Sequence, residues 1–203
     1  MPILLVFIVF AITFVQGPLQ AAGWLWDSGN AFGILGFAGM LYLFLDVGAS
    51  RRQRIHQLIS YGVMASLLIH VAWLWIPDQT IWYYMTLDGP VYMMAGSIAL
   101  LLLIAVTILA LPATRRVWHL HHRQFKRWHY GCSIIAISAG FWHIAGSGFY
   151  FSQFESWLLL AVTLAVVGTR YFNLASRPEP HRLTLVAVPA MALAFVLLKG
   201  FSF

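Results

Sequence analysis

Residues 51–77, RRQRIHQLISYGVMASLLIHVAWLWIP, are long and apolar enough to cross a bilayer as one helix, yet they carry two imidazoles, His56 and His70, fourteen residues apart. Residues 124–150, QFKRWHYGCSIIAISAGFWHIAGSGFY, repeat the arrangement with His129 and His143, again fourteen apart and again behind a cluster of Arg and Lys. At about 100° per residue, fourteen residues turn through roughly 1400°, about 40° short of four full turns, so both histidines of each helix share a face. At about 1.5 Å rise per residue they lie about 21 Å apart along the axis, one toward each edge of a hydrocarbon layer about 30 Å thick. Two such helices side by side would offer two pairs of facing imidazoles.

The rest of the chain has the composition of a membrane protein. Hydrophobic residues make up 61% and charged residues 9%, whereas charged residues form about a quarter of a soluble globule. Mean hydropathy is +0.81. An all-α, polytopic membrane helix bundle follows, a single transmembrane domain over residues 1–203, with no room for a soluble catalytic domain. The net charge of +6 does not point to nucleic acid, because the basic residues sit at helix ends and not in a stripe interleaved with exposed aromatics. The single cysteine, Cys132, excludes an intramolecular disulfide and reads as a small packing residue.

Seven apolar spans are predicted. The first runs from Pro2 to about Gln20; it lacks the positive leading region of a secretory signal and reads as a retained helix. The second, Ala31 to Val47, is rich in glycine (Gly33, Gly36, Gly39), a composition that lets helices approach closely in lipid. The third is residues 51–77, followed by a loop, DQTIWYYMTLDG, whose Trp82, Tyr83 and Tyr84 suit a membrane surface. The fourth, Pro90 to Leu111, has no charge and is closed by Pro112. The fifth begins within the basic stretch TRRVWHLHHRQFKRWH and ends near Tyr150. A sixth covers about Trp157 to Ala175 and a seventh about Leu183 to Lys199, separated by the proline-containing turn SRPEPHR.

Loop charge predicts orientation. Seven alternating spans put Arg51, Arg52, Arg54, Arg115, Arg116, Arg123, Lys126, Arg127, Arg170, Arg177 and Arg182 on one side, and Lys199, Asp27, Asp78, Asp88 and Glu155 on the other. The basic side is cytoplasmic by the positive-inside rule, so the N-terminus is inside and the C-terminus outside; a bacterial inner or plasma membrane is the expected setting. His56 and His129 are then the inner pair, His70 and His143 the outer pair.

Neutral imidazole is a strong ligand for iron, and two imidazoles fill both axial positions of a heme, leaving a low-spin centre suited to passing single electrons. Porphyrin also needs space, and small residues lie a turn toward the membrane centre from the ligands: Ser60 and Ser133 on the inner side, Ser66 and Ala139 on the outer, with Gly62 and Gly140 close by. Propionates seek cations. Arg52 and Lys126, with Arg54 and Arg127 beside them, are placed to bind those of the inner heme. Near the outer heme only Ser147, Trp73, Tyr150 and the aromatic loop are offered.

A lone histidine in an apolar helix is more often a hydrogen-bonded core residue than a ligand. Four histidines in two matched pairs, with matched small neighbours, favour ligation of two hemes. His119, His121 and His122, and His181, read as surface residues meeting lipid headgroups. Asp78 and Asp88 complete the charge asymmetry. The expected function is transmembrane electron transfer through the two heme centres. One alternative is a quinol-oxidising cytochrome b anchor of the b561 kind; another is a cofactor-free membrane scaffold whose histidines are hydrogen-bonded within the bundle.

These residues resemble the ferric reductase-like transmembrane domain family, which includes ferric reductases, NADPH oxidases and the heme-binding MsrQ subunit of a bacterial methionine sulfoxide reductase system. The match rests on His56 with His70, His129 with His143, and the lead-ins RRQRIH and KRWH, and covers about residues 31–175. The resemblance implies a six-helix core binding two b-type hemes and moving electrons outward, from a cytoplasmic-side or membrane donor that is a separate protein or a quinol to an outer-face acceptor, protein or small molecule. The chain departs from the family's fused reductases in having no dinucleotide fingerprint after Ala175, and so looks like the stand-alone MsrQ-type subunits, with one additional C-terminal helix.

Overall fold

The computed structural model describes residues 24–45, 50–76, 78–84, 86, 88–111, 114, 122–148, 157 and 164, with the side chains of 24, 45, 50–53, 122 and 123 outside the description. The first and seventh predicted spans, all but two residues of the sixth, and His119, His121 and His181 lie outside the described residues. Every described element is helical: α1 (Trp24–Leu45), α2 (Ser50–Trp75), α3 (Ile81–Tyr84), α4 (Val91–Ala110) and α5 (His122–Ser147). The chain divides into two compact units, Met1–Pro77 with Ala165–Phe203, and Asp78–Leu164.

Among the described residues, 54–75 of α2 and 91–110 of α4 are long and apolar enough to cross a membrane. Only 17% of the residues of the first and 11% of those of the second are buried within the fold, the rest being half-buried or exposed. Ile55, Leu58, Leu68 and Ile69 of α2, and Ile98, Leu101 and Ile108 of α4, are exposed. The core helix of a soluble protein would bury such residues.

In the first unit α1 and α2 pack antiparallel. Along α1, Gly29, Gly33, Gly36 and Gly39 lie against Leu74, His70, Leu67 and Val63 of α2, numbers rising on one helix as they fall on the other. The absent side chains open a groove in α1 that receives the larger ones of α2, as the glycine-rich composition predicted. Val63 and Leu74 are buried there, and Ser66 reaches the Phe32 carbonyl at 2.8 Å. A second stripe of α1, Ile34, Phe37, Leu41 and Phe44, is also buried. The helix begins seven residues before the predicted span. Asp27, expected in an outer loop, sits instead in its first turn, where a carboxylate complements the helix dipole, and is buried.

In the second unit the aromatic loop contains α3. Asp78 starts it: its Oδ1 accepts from the Thr80 amide at 2.9 Å and the Thr80 hydroxyl at 2.6 Å, and its carbonyl accepts from Ile81 N. Gly89 then packs against the Tyr83 and Tyr84 carbonyls too closely for any Cβ. Helix α4 ends at Ala110, and Leu111 is extended (φ −60°, ψ 138°), as a residue before proline must be. Helix α5 pairs antiparallel with α4 and stops at Gly148, whose φ of 65° suits glycine.

Candidate functional site

Each unit presents the second histidine of its pair, His70 or His143, to the neighbouring helix in the same way. In the first, Nδ1 of His70 lies 2.8 Å from the carbonyl oxygen of Gly29 on α1; in the second, Nδ1 of His143 lies 3.0 Å from the carbonyl oxygen of Tyr92 on α4. A carbonyl only accepts, so Nδ1 of each ring carries a proton, and in the neutral ring the lone pair is then on Nε2. Four residues after each carbonyl comes a glycine, Gly33 or Gly96, whose Cα lies against the ring. Helix geometry explains the spacing, because the carbonyl of residue i points toward residue i+4, and a ring that reaches that oxygen must lie beside the i+4 Cα.

The inner histidines also match. Ser60 donates to the carbonyl of His56 at 2.7 Å and Ser133 to that of His129 at 2.6 Å, each a hydroxyl folded back onto its own helix. His56 and His129 are both half-buried. Phe125 stacks on His129 from one turn before it, ring centroids 5.3 Å apart at 29°. The two helix pairs are thus built alike: 73 residues separate His56 from His129, Ser60 from Ser133 and His70 from His143, and 63 separate Gly29 from Tyr92 and Gly33 from Gly96.

Other predicted residues fall as follows. Arg54, Lys126 and Arg127 are exposed, and the side chain of Arg52 lies outside the described ones. Ser66 is spent on helix packing through its bond to Phe32 and is buried. Gly62 has open space where a Cβ would stand. Trp73 donates from Nε1 to the Leu25 carbonyl at 3.0 Å and tilts against Phe32. Among the described residues no three of His, Cys, Asp or Glu gather into a metal cage; a heme with two axial imidazoles asks for none. The Thr80 hydroxyl and amide at Asp78 hold its carboxyl below the ordinary value.

Sequence reading passed over Gly96 and the carbonyls of Gly29 and Tyr92. Gly33 was singled out only as a site of close helix approach. The available signal was a glycine near the outer end of each helix preceding a His-bearing one. Comparison of the chain with protein-family models, curated proteins and solved structures found no match.

Proposed function

We propose that this chain is a membrane-embedded electron-transfer subunit that holds two heme b groups, His56 and His129 binding the inner one and His70 and His143 the outer. The pairing comes from the sequence: equal spacing in two helices and equal neighbours. The observation that carries the reading is the pair of Nδ1–H···O=C bonds made by His70 and His143. A ligating histidine typically donates its second ring nitrogen to a carbonyl or carboxylate, which orients the ring and strengthens Nε2 as a donor. A histidine kept for packing alone needs one bond of any kind. Here the same bond recurs at the same place in both units, and it selects the tautomer that a metal requires.

Heme b, when bound, supplies reversible one-electron chemistry. The chain's own part is to fix the imidazoles, keep water from the ligands and offer Arg52, Arg54, Lys126 and Arg127 to the inner propionates. The finer architecture we infer is the six-helix core of the ferric reductase-like domain with a seventh C-terminal helix, the N-terminus cytoplasmic. Electrons would enter from a separate donor protein or a quinol and leave to an acceptor on the outer face. The exposed apolar faces of α2 and α4 support the membrane setting.

The test is the optical spectrum of the purified protein before and after dithionite, with heme quantified against protein. The expected result is a b-type difference spectrum and two hemes per chain. A colourless protein from heme-replete cells overturns the proposal.

A further inference from the structure

We infer that Gly33 and Gly96 are positioning residues for the outer imidazoles, each forming with the carbonyl four residues earlier a clamp that sets the tautomer and donor strength of His70 and His143. The ligand role of these histidines rests on the heme reading above; the clamp itself rests on the backbone geometry of each unit.

At position 33 a Cβ would stand 2.9 Å from Nδ1 and 3.0 Å from Cε1 of His70; at position 96 it would stand 2.7 Å from Nδ1 and 2.8 Å from Cγ of His143. Real Cβ atoms do not approach so closely, and the imidazole cannot give way by bending as the tip of a leucine can. Alanine at either position therefore drives the ring off its carbonyl. Beside the His143 ring the space is also filled: the Tyr92 ring lies 6.5 Å away, centroid to centroid, and the Tyr92 Cβ is 2.7 Å from where a Cβ at Gly146 would be. Without the carbonyl the Nδ1–H form loses this stabilisation, and neutral histidine in water favours Nε2–H, the tautomer that cannot ligate through Nε2.

The clamp also bears on redox potential. A carbonyl pulling on Nδ1–H gives the imidazole more anionic character, makes it a stronger donor and favours the oxidised metal. Loss of that bond makes the outer centre easier to reduce.

The experiment uses the full chain labelled with ¹⁵N-histidine, in lipid nanodiscs, from heme-deficient and heme-replete cells. In the heme-free protein, ring nitrogen shifts and couplings, assigned by single histidine replacements, should report Nδ1–H at His70 and His143. Gly33→Ala should convert His70 alone to Nε2–H, and Gly96→Ala His143 alone. Gly131→Ala, where a Cβ meets nothing within 4 Å, should convert neither. In the heme-replete protein both clamp variants should shift the outer midpoint potential positively and leave the inner one in place.

Nε2–H at His70 or His143 in the parent protein overturns the inference without recourse to any variant, so a variant that fails to fold does not shelter it. Unchanged tautomers in both alanine variants overturn it equally. A parent protein that takes up no heme overturns the heme reading instead, and the tautomer measurement still decides the clamp.

Discussion

His70 crosses from α2 to the backbone of α1 and bonds the carbonyl of Gly29, the oxygen left accessible by the glycine at 33. The groove belongs to α1, so it survives removal of the imidazole. His70→Ala should cost one heme of two and spare the other, and His143→Ala should do the same; loss of neither would contradict the ligand assignment. Because the Gly29 carbonyl and the space at Gly33 remain in His70→Ala, added imidazole should restore much of the missing heme absorbance. A full heme complement in both single variants without added imidazole, measured by pyridine hemochrome, is the contrary result.

The serines near the histidines divide into two kinds with different expected costs. Ser66 donates to another helix, is buried and ties α2 to α1. Ser133 donates within α5, to a carbonyl that already serves the helix ladder. A hydrogen bond between membrane helices contributes about 0.6 kcal/mol on average, whereas hydroxyl back-bonding onto the i−4 carbonyl slightly weakens a helix. Ser66→Ala should therefore lower the thermal midpoint of the heme-free protein in detergent, and Ser133→Ala leave it unchanged or raise it. Circular dichroism at 222 nm reads both, and the reverse order would contradict this division.

How much of this was legible in the sequence depended on the length scale of each feature. Helices α2 and α4 were plain because unbroken apolar runs leave few alternatives, and Pro112 announced the end of α4. The start of α1 was hidden because Trp24 to Ser28 mixes aromatic, acidic and polar residues, and only tertiary burial of Asp27 brings them into the helix. Helix α3 is one turn long and has no periodicity to read, although Asp78 followed by Thr80 is a local start signal. The histidine spacing was visible, whereas the partners of the outer rings were backbone carbonyls, which every residue carries and no sequence motif marks. Gly33 and Gly96, each four residues after such a carbonyl, were their only trace.

Asp78 makes the loop that contains α3 sensitive to acid. Two bonds from Thr80 favour the charged carboxylate and lower its pKa in the folded state. A depressed folded value means that the stabilisation is present above the unfolded pKa and lost as pH falls through the folded one. The Thr80 amide should therefore hold its protection from hydrogen exchange at neutral pH and lose it only on acidification below the ordinary carboxylate range. Asp78→Asn keeps an accepting oxygen but no titrating proton, so it should retain protection with a flat pH dependence, and Asp78→Ala should lose protection at every pH. A parent protein whose Thr80 protection is indifferent to acid would refute the cap.

The glycine groove of α1 predicts unequal costs at neighbouring positions. A Cβ at Gly36 would lie 2.5 Å from Cδ2 and 2.6 Å from Cγ of Leu67, a flexible side chain that is only half-buried and can change rotamer. A Cβ at Gly39 would meet Cγ2 of Val63, which is buried and β-branched, with one strongly preferred rotamer in a helix. Replacing a helical glycine by alanine gains about 0.8–1.0 kcal/mol of intrinsic propensity, while overpacking a tight contact costs typically 1–3 kcal/mol. At Gly36 the gain should roughly offset a small rearrangement; at Gly39 the clash should win, with Gly39→Ala less stable than the parent by about 1–2 kcal/mol. Val63→Ala removes the opposing methyls, so the double variant Gly39→Ala, Val63→Ala should be less destabilised than the two single costs added together. Chemical denaturation in mixed micelles measures this cycle, and strict additivity would place residues 39 and 63 out of contact.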